Sequence, residues 1–312
     1  MAVTLLYSGK FQSMIRLDDP EDIGKPTQNL IEEALHRSDK EEALKLLRYL
    51  VDVEFAILKQ SVLGGWLSDL VEFMLEKRGC SDLDAPLRVP TTVIWDSMFQ
   101  AGVRISNKVQ DAIELGNDRD AIILLESIRQ LFKLINDMVV RWVQDILTYV
   151  GDTYGEEKVA EAMRVSYDRI WIKRYAKWEE LSPLEQLALS AEGMRAHFGG
   201  PTRRGEFQVI EEENRYVMSF DPCGTGGVMR RGDPETGEKA WDTTGVSKKA
   251  YPWTWEKKDV HWYCTHCNLY LEHFATETFG YPIRPLGHNS DHNAPCKWFI
   301  YKDRKPKGAE KI

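Results

Sequence analysis

Ala34-Leu-His-Arg-Ser-Asp-Lys-Glu-Glu-Ala-Leu-Lys-Leu-Leu47 decides how the first two thirds of this 312-residue chain are read, because the chain contains it twice. With Ala34 set on Ala112, it aligns with Ala112-Ile-Glu-Leu-Gly-Asn-Asp-Arg-Asp-Ala-Ile-Ile-Leu-Leu125. After a gap of two residues the match resumes: Trp66 meets Trp142, Asp69 meets Asp145, Phe73 meets Tyr149, Gly79 meets Gly155, Arg88-Val89 meets Arg164-Val165, Trp95 meets Trp171 and Phe99 meets Tyr175. Apolar residues spaced by three and four, as at Ala43, Leu46, Leu47, Leu50 and Val51, mark helices that bury one face. The pattern predicts a unit of several helices, copied once, with the copies packed on each other. Gly79 and Gly155 are its expected helix stops, since glycine takes the left-handed conformation at little cost.

The chain up to about His197 is therefore expected to be nearly all helix. The paired Trp66, Asp69, Trp142 and Asp145 invite a pseudo-symmetric ligand cleft. Packing is the preferred account, because aromatic stripes at helical spacing usually face a core. A final helix is expected from Leu181-Ser-Pro-Leu-Glu-Gln to His197, opened by Ser-Pro. Phe198-Gly-Gly-Pro-Thr then breaks the pattern and sets a boundary: residues 1–198 form a duplicated helical region and 199–312 a second domain.

Beyond the boundary the period becomes two. Phe207-Gln-Val-Ile-Glu, a polar turn and Arg215-Tyr-Val-Met-Ser-Phe220 predict a β-hairpin. It runs into Asp221-Pro-Cys-Gly-Thr-Gly-Gly227, a tight turn without the Lys-Ser/Thr of a P-loop or a following helical pattern. The turn is expected to point Cys223 inward, with nearby amides on its sulfur. Residues 230–258 read as a long loop whose Trp241, Tyr251, Trp253 and Trp255 either wall a pocket or anchor the loop on the sheet. Tyr263 to Gly280 reads as a helix, and Cys296-Lys-Trp-Phe-Ile-Tyr301 as a closing strand. The fold class is α+β: an all-α N-terminal region and a small C-terminal α+β domain with an antiparallel sheet.

Four of the 5 cysteines, Cys223, Cys264, Cys267 and Cys296, fall in that last domain, as do His261, His266, His273, His288 and His292. Cys80 stands apart and reads as a small buried hydrophobe. A CxxC with two distant cysteines is a metal signal of moderate specificity. All four thiolates would close a tetrahedral zinc site. Three thiolates and a water, or two with His261 or His292, would leave zinc an open position. Iron or an iron–sulfur cluster is the alternative. Without metal, Cys223 or Cys264 is a candidate nucleophile activated by a neighbour such as His261 or His266. Cys264 and Cys267 lie near the helix start, where the dipole favours thiolates; His266 and His273 are expected to make ordinary polar contacts.

The net charge of -8 argues against nucleic acid as a partner, since phosphate binding draws on clustered Lys and Arg. Met1 to Ser13 is too polar for a signal segment, and no apolar run approaches the roughly 18 to 20 residues that span a bilayer. A cytoplasmic protein with reduced thiols is expected, with no membrane partner and a homodimer through the helical region as one option.

The order Cys264-Thr-His-Cys267, Phe279-Gly-Tyr-Pro-Ile283 and Pro295-Cys-Lys-Trp-Phe-Ile300 resembles 4-vinyl reductase-type small-molecule-binding domains. It is also similar to L-2-amino-thiazoline-4-carboxylic acid hydrolase-like proteins, where a closing helix precedes a strand with a Cys-x-aromatic-x-Ile signature. The resemblance spans Phe207 to Lys302. It implies an α+β domain with a pocket for a small organic ligand, often with a cysteine-rich site.

Two functions follow as expectations. One is a metal- or thiolate-dependent enzyme, a hydrolase in the first instance, acting on a small molecule that carries sulfur or nitrogen; Cys223, Cys264 and His261 are its catalytic candidates. The other is a small-molecule-binding or sensor protein in which Cys223, Cys264, Cys267 and Cys296 hold a structural zinc.

Overall fold

A computed structural model describes residues 3–59, 65–78, 92–241, 245–289, 291 and 294–303. The chain opens on an antiparallel hairpin, β1 (Leu5–Ser8) and β2 (Ser13–Arg16), before the first helix. This corrects the all-helical expectation. Neither Leu5-Leu-Tyr-Ser nor Ser13-Met-Ile-Arg alternates apolar with polar residues, and β2 is held instead by α9 (Pro183–Arg195) and by the fully buried Arg16.

The duplicated stretch folds as two matching turns. α1 (Thr27–His36) passes into α2 (Lys40–Tyr49) through Ser38, at φ 58°, and Asp39, whose carboxylate accepts the Glu42 amide at 3.1 Å. A π-helical turn, Leu50–Glu54, carries α2 into α3 (Phe55–Leu58), and α4 (Leu67–Arg78) follows. α5 (Thr92–Leu115) then passes into α6 (Asp118–Tyr154) through Gly116, at φ 74°, and Asn117, whose side chain accepts the Asp120 amide. The backbone bonds also correspond: Ser38 to Leu35 and Asp39 to Ala34 in one turn, Gly116 to Ile113 and Asn117 to Ala112 in the other. Both are left-handed helix ends followed at once by an Asx N-cap.

Past the turns the copies diverge. α6 is one helix of 37 residues, ended at Gly155 with φ 102°, as expected of that glycine. Gly79, Cys80, Arg88 and Val89 lie outside the described residues. Trp66 and Asp69 are buried, whereas Trp142 is only partly so and Asp145 is exposed, so no symmetric cleft forms. α7 (Glu157–Ser166) leads through a second π turn, Tyr167–Trp171, into α8 (Ile172–Tyr175). α9 begins at the expected Ser-Pro: the Ser182 hydroxyl accepts the Glu185 amide while the Glu185 carboxylate accepts the Ser182 amide.

The expected hairpin is β3 (Gln208–Glu211) with β4 (Arg215–Ser219), and the expected closing strand is the last in the chain, pairing β4 so that Met218 faces Trp298. Between them lie α10 (Gly226–Arg231), α11 (Thr265–Asn268), a third π turn (Leu269–His273), α12 (Phe274–Phe279) and the short β5 (Leu286–Gly287). The closing strand is β6 (Lys297–Tyr301), and the sheet runs β3-β4-β6-β5, antiparallel throughout. The chain is α+β.

One connected set of buried apolar side chains runs from Ile23 to Ile300, on both sides of position 198. α6 ties it together. Its buried Gln144 accepts the Tyr263 amide at 2.8 Å and donates to the Gly245 carbonyl at 2.6 Å, so one side chain seats the start of the cysteine helix on the helical half. Gly151 leaves room for Trp262, where an added Cβ would come within 3.2 Å of the indole nitrogen.

Candidate active site

A cavity of about 570 Å3 lies where α6 and α9 meet the cysteine-bearing helix and the sheet. All three π turns named above feed it: Asp52 and Val53 from the first, Ile170 and Trp171 from the second, Tyr270 and Leu271 from the third. A π turn inserts an extra residue into a helix and re-aims the side chains beside it, and such turns recur at functional sites. Trp66, Tyr175, Trp178 and Trp298 supply aromatic wall, which suits a small organic molecule.

Cys223 and Thr225 reach this wall because the loop after β4 crosses the end of α9 at very short range. A Cβ on Gly224 would sit 1.8 Å from the His197 carbonyl oxygen and 2.5 Å from that of Phe198, so only glycine fits the crossing. The loop then continues directly into α10, contrary to the expectation that no helix follows it. Its polar partner for Cys223 is a hydroxyl rather than an amide: Thr225 Oγ1 lies 3.2 Å from the sulfur.

Cys223, Cys264, Cys267 and Cys296 line one small chamber, of about 30 Å3, that adjoins the large cavity. All four are free thiols. The structure thus brings together the four cysteines read from the sequence. Among the described residues, however, no three His, Cys, Asp or Glu side chains are grouped as a metal ion requires. A cation already stands in the chamber: the buried Arg230 guanidinium lies 3.6 Å from Cys296 Sγ and is otherwise held by the Gly226 and Asn289 carbonyls. Burial works against the Arg230 charge, and the Cys264, Cys296 and Cys223 sulfurs would favour it further once ionised, so Arg230 is a cation throughout the range in which Cys264 is a neutral thiol. A divalent ion among these sulfurs would have to sit against that charge, so the donor set fits a metal poorly.

Only Cys223 and Cys267 also face the large cavity. Cys267 has a partner there. His266 Nδ1 lies 2.6 Å from the Tyr263 carbonyl oxygen, and an oxygen that can only accept places the ring proton on Nδ1. His266 Nε2 is left as an acceptor, and Cys267 Sγ lies 3.4 Å from it. Thiol, imidazole and carbonyl form a line in which each group orients the next, the geometry of an activated thiol nucleophile. Burial holds His266 neutral, lowering it to about 4, with the Tyr263 contact opposing and His197 and Arg284 reinforcing. Burial likewise pushes the Cys267 thiol well above its ordinary value, and the neighbouring sulfurs add to this. Cys264 is raised to about 12, again chiefly by burial. The helix-start thiolates expected from the dipole are therefore thiols at rest, because desolvation exceeds the few tenths to about 1 kcal/mol a helix terminus supplies.

Two buried ionisable groups, Glu192 and Arg284, also line the wall. Glu192 is buried, accepts the Tyr49 hydroxyl at 2.8 Å and is raised to about 7 by burial, against the pull of Arg195. Arg284 is buried with its Cζ 4.5 Å from the centre of the Trp298 ring, and among the described residues its Nε has no hydrogen-bond partner. Burial lowers Arg284 to about 10, which leaves it charged near neutrality.

His261 is buried, pairs with Val246 in an isolated antiparallel bridge and lines neither cavity. His292 lies outside the described residues. His273 pairs with Glu277 at the surface, as expected of an ordinary polar contact, but His266 does not behave that way. The aromatic loop divides its duties. Trp253 is buried against Tyr251 and Trp262 as an anchor, while Trp255 walls the thiol chamber, stacks on His288 at 4.5 Å and donates its Nε1 to Glu272. The signal for the Cys267–His266 pair was present in the sequence as adjacent letters, but what singles it out is the carbonyl that fixes the tautomer. Among the described residues no helix is long and apolar enough to cross a membrane. No family model, no curated protein and no solved structure matches the chain.

Proposed function

We propose that this chain is a thiol-dependent enzyme that takes a small organic molecule into the interior cavity and attacks it with Cys267. The observation that carries the proposal is the Tyr263 carbonyl–His266–Cys267 line at the cavity wall. As the sulfur bonds to an electrophilic carbon, its proton passes to His266 Nε2. The imidazolium then returns that proton to the leaving group, and water entering the cavity releases the acyl group from sulfur. Hydrolysis is the net reaction, in keeping with the hydrolase-like resemblance of residues 207–302. Free thiols fit a reducing, cytoplasmic setting.

p-Nitrophenyl acetate tests this. A stoichiometric burst of p-nitrophenolate is expected, with the acetyl group on Cys267 by peptide mass spectrometry. Cys267→Ser should abolish the burst and His266→Gln should slow it by about 100-fold or more, both with unchanged far-UV dichroism. Equal acetylation across the cysteines, or a burst that survives Cys267→Ser, would exclude the mechanism.

The neutral resting state of His266, Cys264 and Cys267 favours a second function, a binding protein whose pocket happens to contain thiols. It predicts ligand binding without any covalent step. A structural zinc in that protein would show as stoichiometric metal and a large fall in melting midpoint on chelation; the Arg230 charge leads us to expect neither.

A further inference from the structure

We propose that the molecule taken by the large cavity is a small organic acid whose carboxylate is bound by Arg284. This rests on that cavity being the ligand site. Arg284 is 8% exposed, and among the described residues it forms no ion pair with any Asp or Glu. A buried guanidinium ordinarily has a carboxylate partner, because leaving it unpaired costs several kcal/mol. Among the described residues the Nε–H also has no hydrogen-bond partner. Trp298 lies against one side of the group, its ring centre 4.5 Å from Cζ, and the cavity-lining remainder is what a ligand would meet.

The two carboxylates of the cavity do not serve Arg284. Glu192 is engaged by the Tyr49 hydroxyl and the Arg16 amide, and neither it nor Asp52 pairs with Arg284. Arg174 also lines the space and adds positive potential, and Tyr175 and Cys267 are the groups whose negative forms Arg284 would favour. A carboxylate on the guanidinium edge would gain two charge-assisted hydrogen bonds in a water-poor site. The rest of the molecule would lie against Trp171, Tyr175 and Trp66. Cys267 and Arg284 line the same cavity, so a small acid held at Arg284 would share that space with the thiol.

Benzoate and indole-3-acetate, each against its neutral amide, test this by quenching of the cavity tryptophans and by calorimetry. The acids are expected to bind the wild-type protein at least about tenfold more tightly than the amides. Arg284→Gln should erase that preference while leaving amide binding within about twofold, and Arg284→Lys should keep part of it. Amides that bind as well as acids, a preference that survives Arg284→Gln, or no binding of either class would overturn the proposal. Cys267→Ser separates it from the catalytic reading: retained acid binding with loss of the acetylation burst supports both. Acetylation of Cys267 with no acid preference sinks this inference alone.

Discussion

Glu192 places an ionisable group 3% exposed in the wall of the large cavity, and its titration should be readable in the stability of the whole chain. Burial raises it from the ordinary 4.5 to about 7, despite the attraction of Arg195 and the hydrogen bonds from Tyr49 and the Arg16 amide. The folded protein therefore holds this proton more tightly than the unfolded chain. The associated stabilisation is complete below pH 4.5 and is lost as pH rises through about 7. At about 1.4 kcal/mol for each pH unit between the two values, the loss amounts to about 3 kcal/mol. Glu192→Gln keeps an oxygen to accept the Tyr49 hydroxyl and abolishes the titration. Urea unfolding of both proteins at pH 4 and pH 8 isolates the effect, because every other group titrates in both. The variant should gain up to about 3 kcal/mol on the wild type between the two pH values, with no further change above pH 8. A difference between the proteins that does not vary with pH would refute the assignment of a buried, neutral carboxyl.

Two further outcomes bear on the scaffold. Asp39→Ala and Asn117→Ala each remove the side-chain acceptor at an equivalent turn and should each cost about 1 kcal/mol in chemical denaturation; a loss at only one would mean that the turns match in shape but not in energetics. Gly224→Ala forces a Cβ onto two backbone carbonyls, which cannot swing aside as a side chain could, and should cost at least about 3 kcal/mol; a change under about 1 kcal/mol would show that the crossing over α9 is looser than the structure indicates.

The helical half was legible because its information is local. A left-handed residue followed by Asp or Asn leaves the same trace in Ser38-Asp39 as in Gly116-Asn117, and apolar spacing gives the face each helix buries. The hairpin β3–β4 was legible as a period of two, and the closing strand β6 as a run of aromatic and β-branched residues. β1 and β2 were not, since nothing in Leu5-Leu-Tyr-Ser marks it as a strand until Ser13-Met-Ile-Arg lies beside it. The π turns at Leu50–Glu54, Tyr167–Trp171 and Leu269–His273 were also invisible. Each is an insertion of one residue into a helix whose neighbours remain helical, so apolar spacing hardly registers it.

The site divides along the same line. Spacing alone was enough to gather Cys223, Cys264, Cys267 and Cys296, because a turn, a helix start and a strand start each fix where a thiol points. Spacing said nothing of Arg230 or Arg284, the two buried cations that stand beside the thiols. Arg230 occupies the chamber that a metal would have needed. Arg284 brings an unpaired charge to the cavity that Cys267 faces, and no local pattern marks a basic residue as lacking an acid. The protonation states follow from the same long-range packing: a CxxC at a helix start predicts thiolates only while water reaches it, and here Tyr263, Trp66 and Tyr270 close round His266. A ligand that entered with its own negative charge would pair with Arg284 and relieve the penalty of burying that cation. By neutralising Arg284 it would also remove the attraction that favours a Cys267 thiolate, so on the proposed mechanism the proton would have to pass to His266 as the sulfur attacks rather than before it.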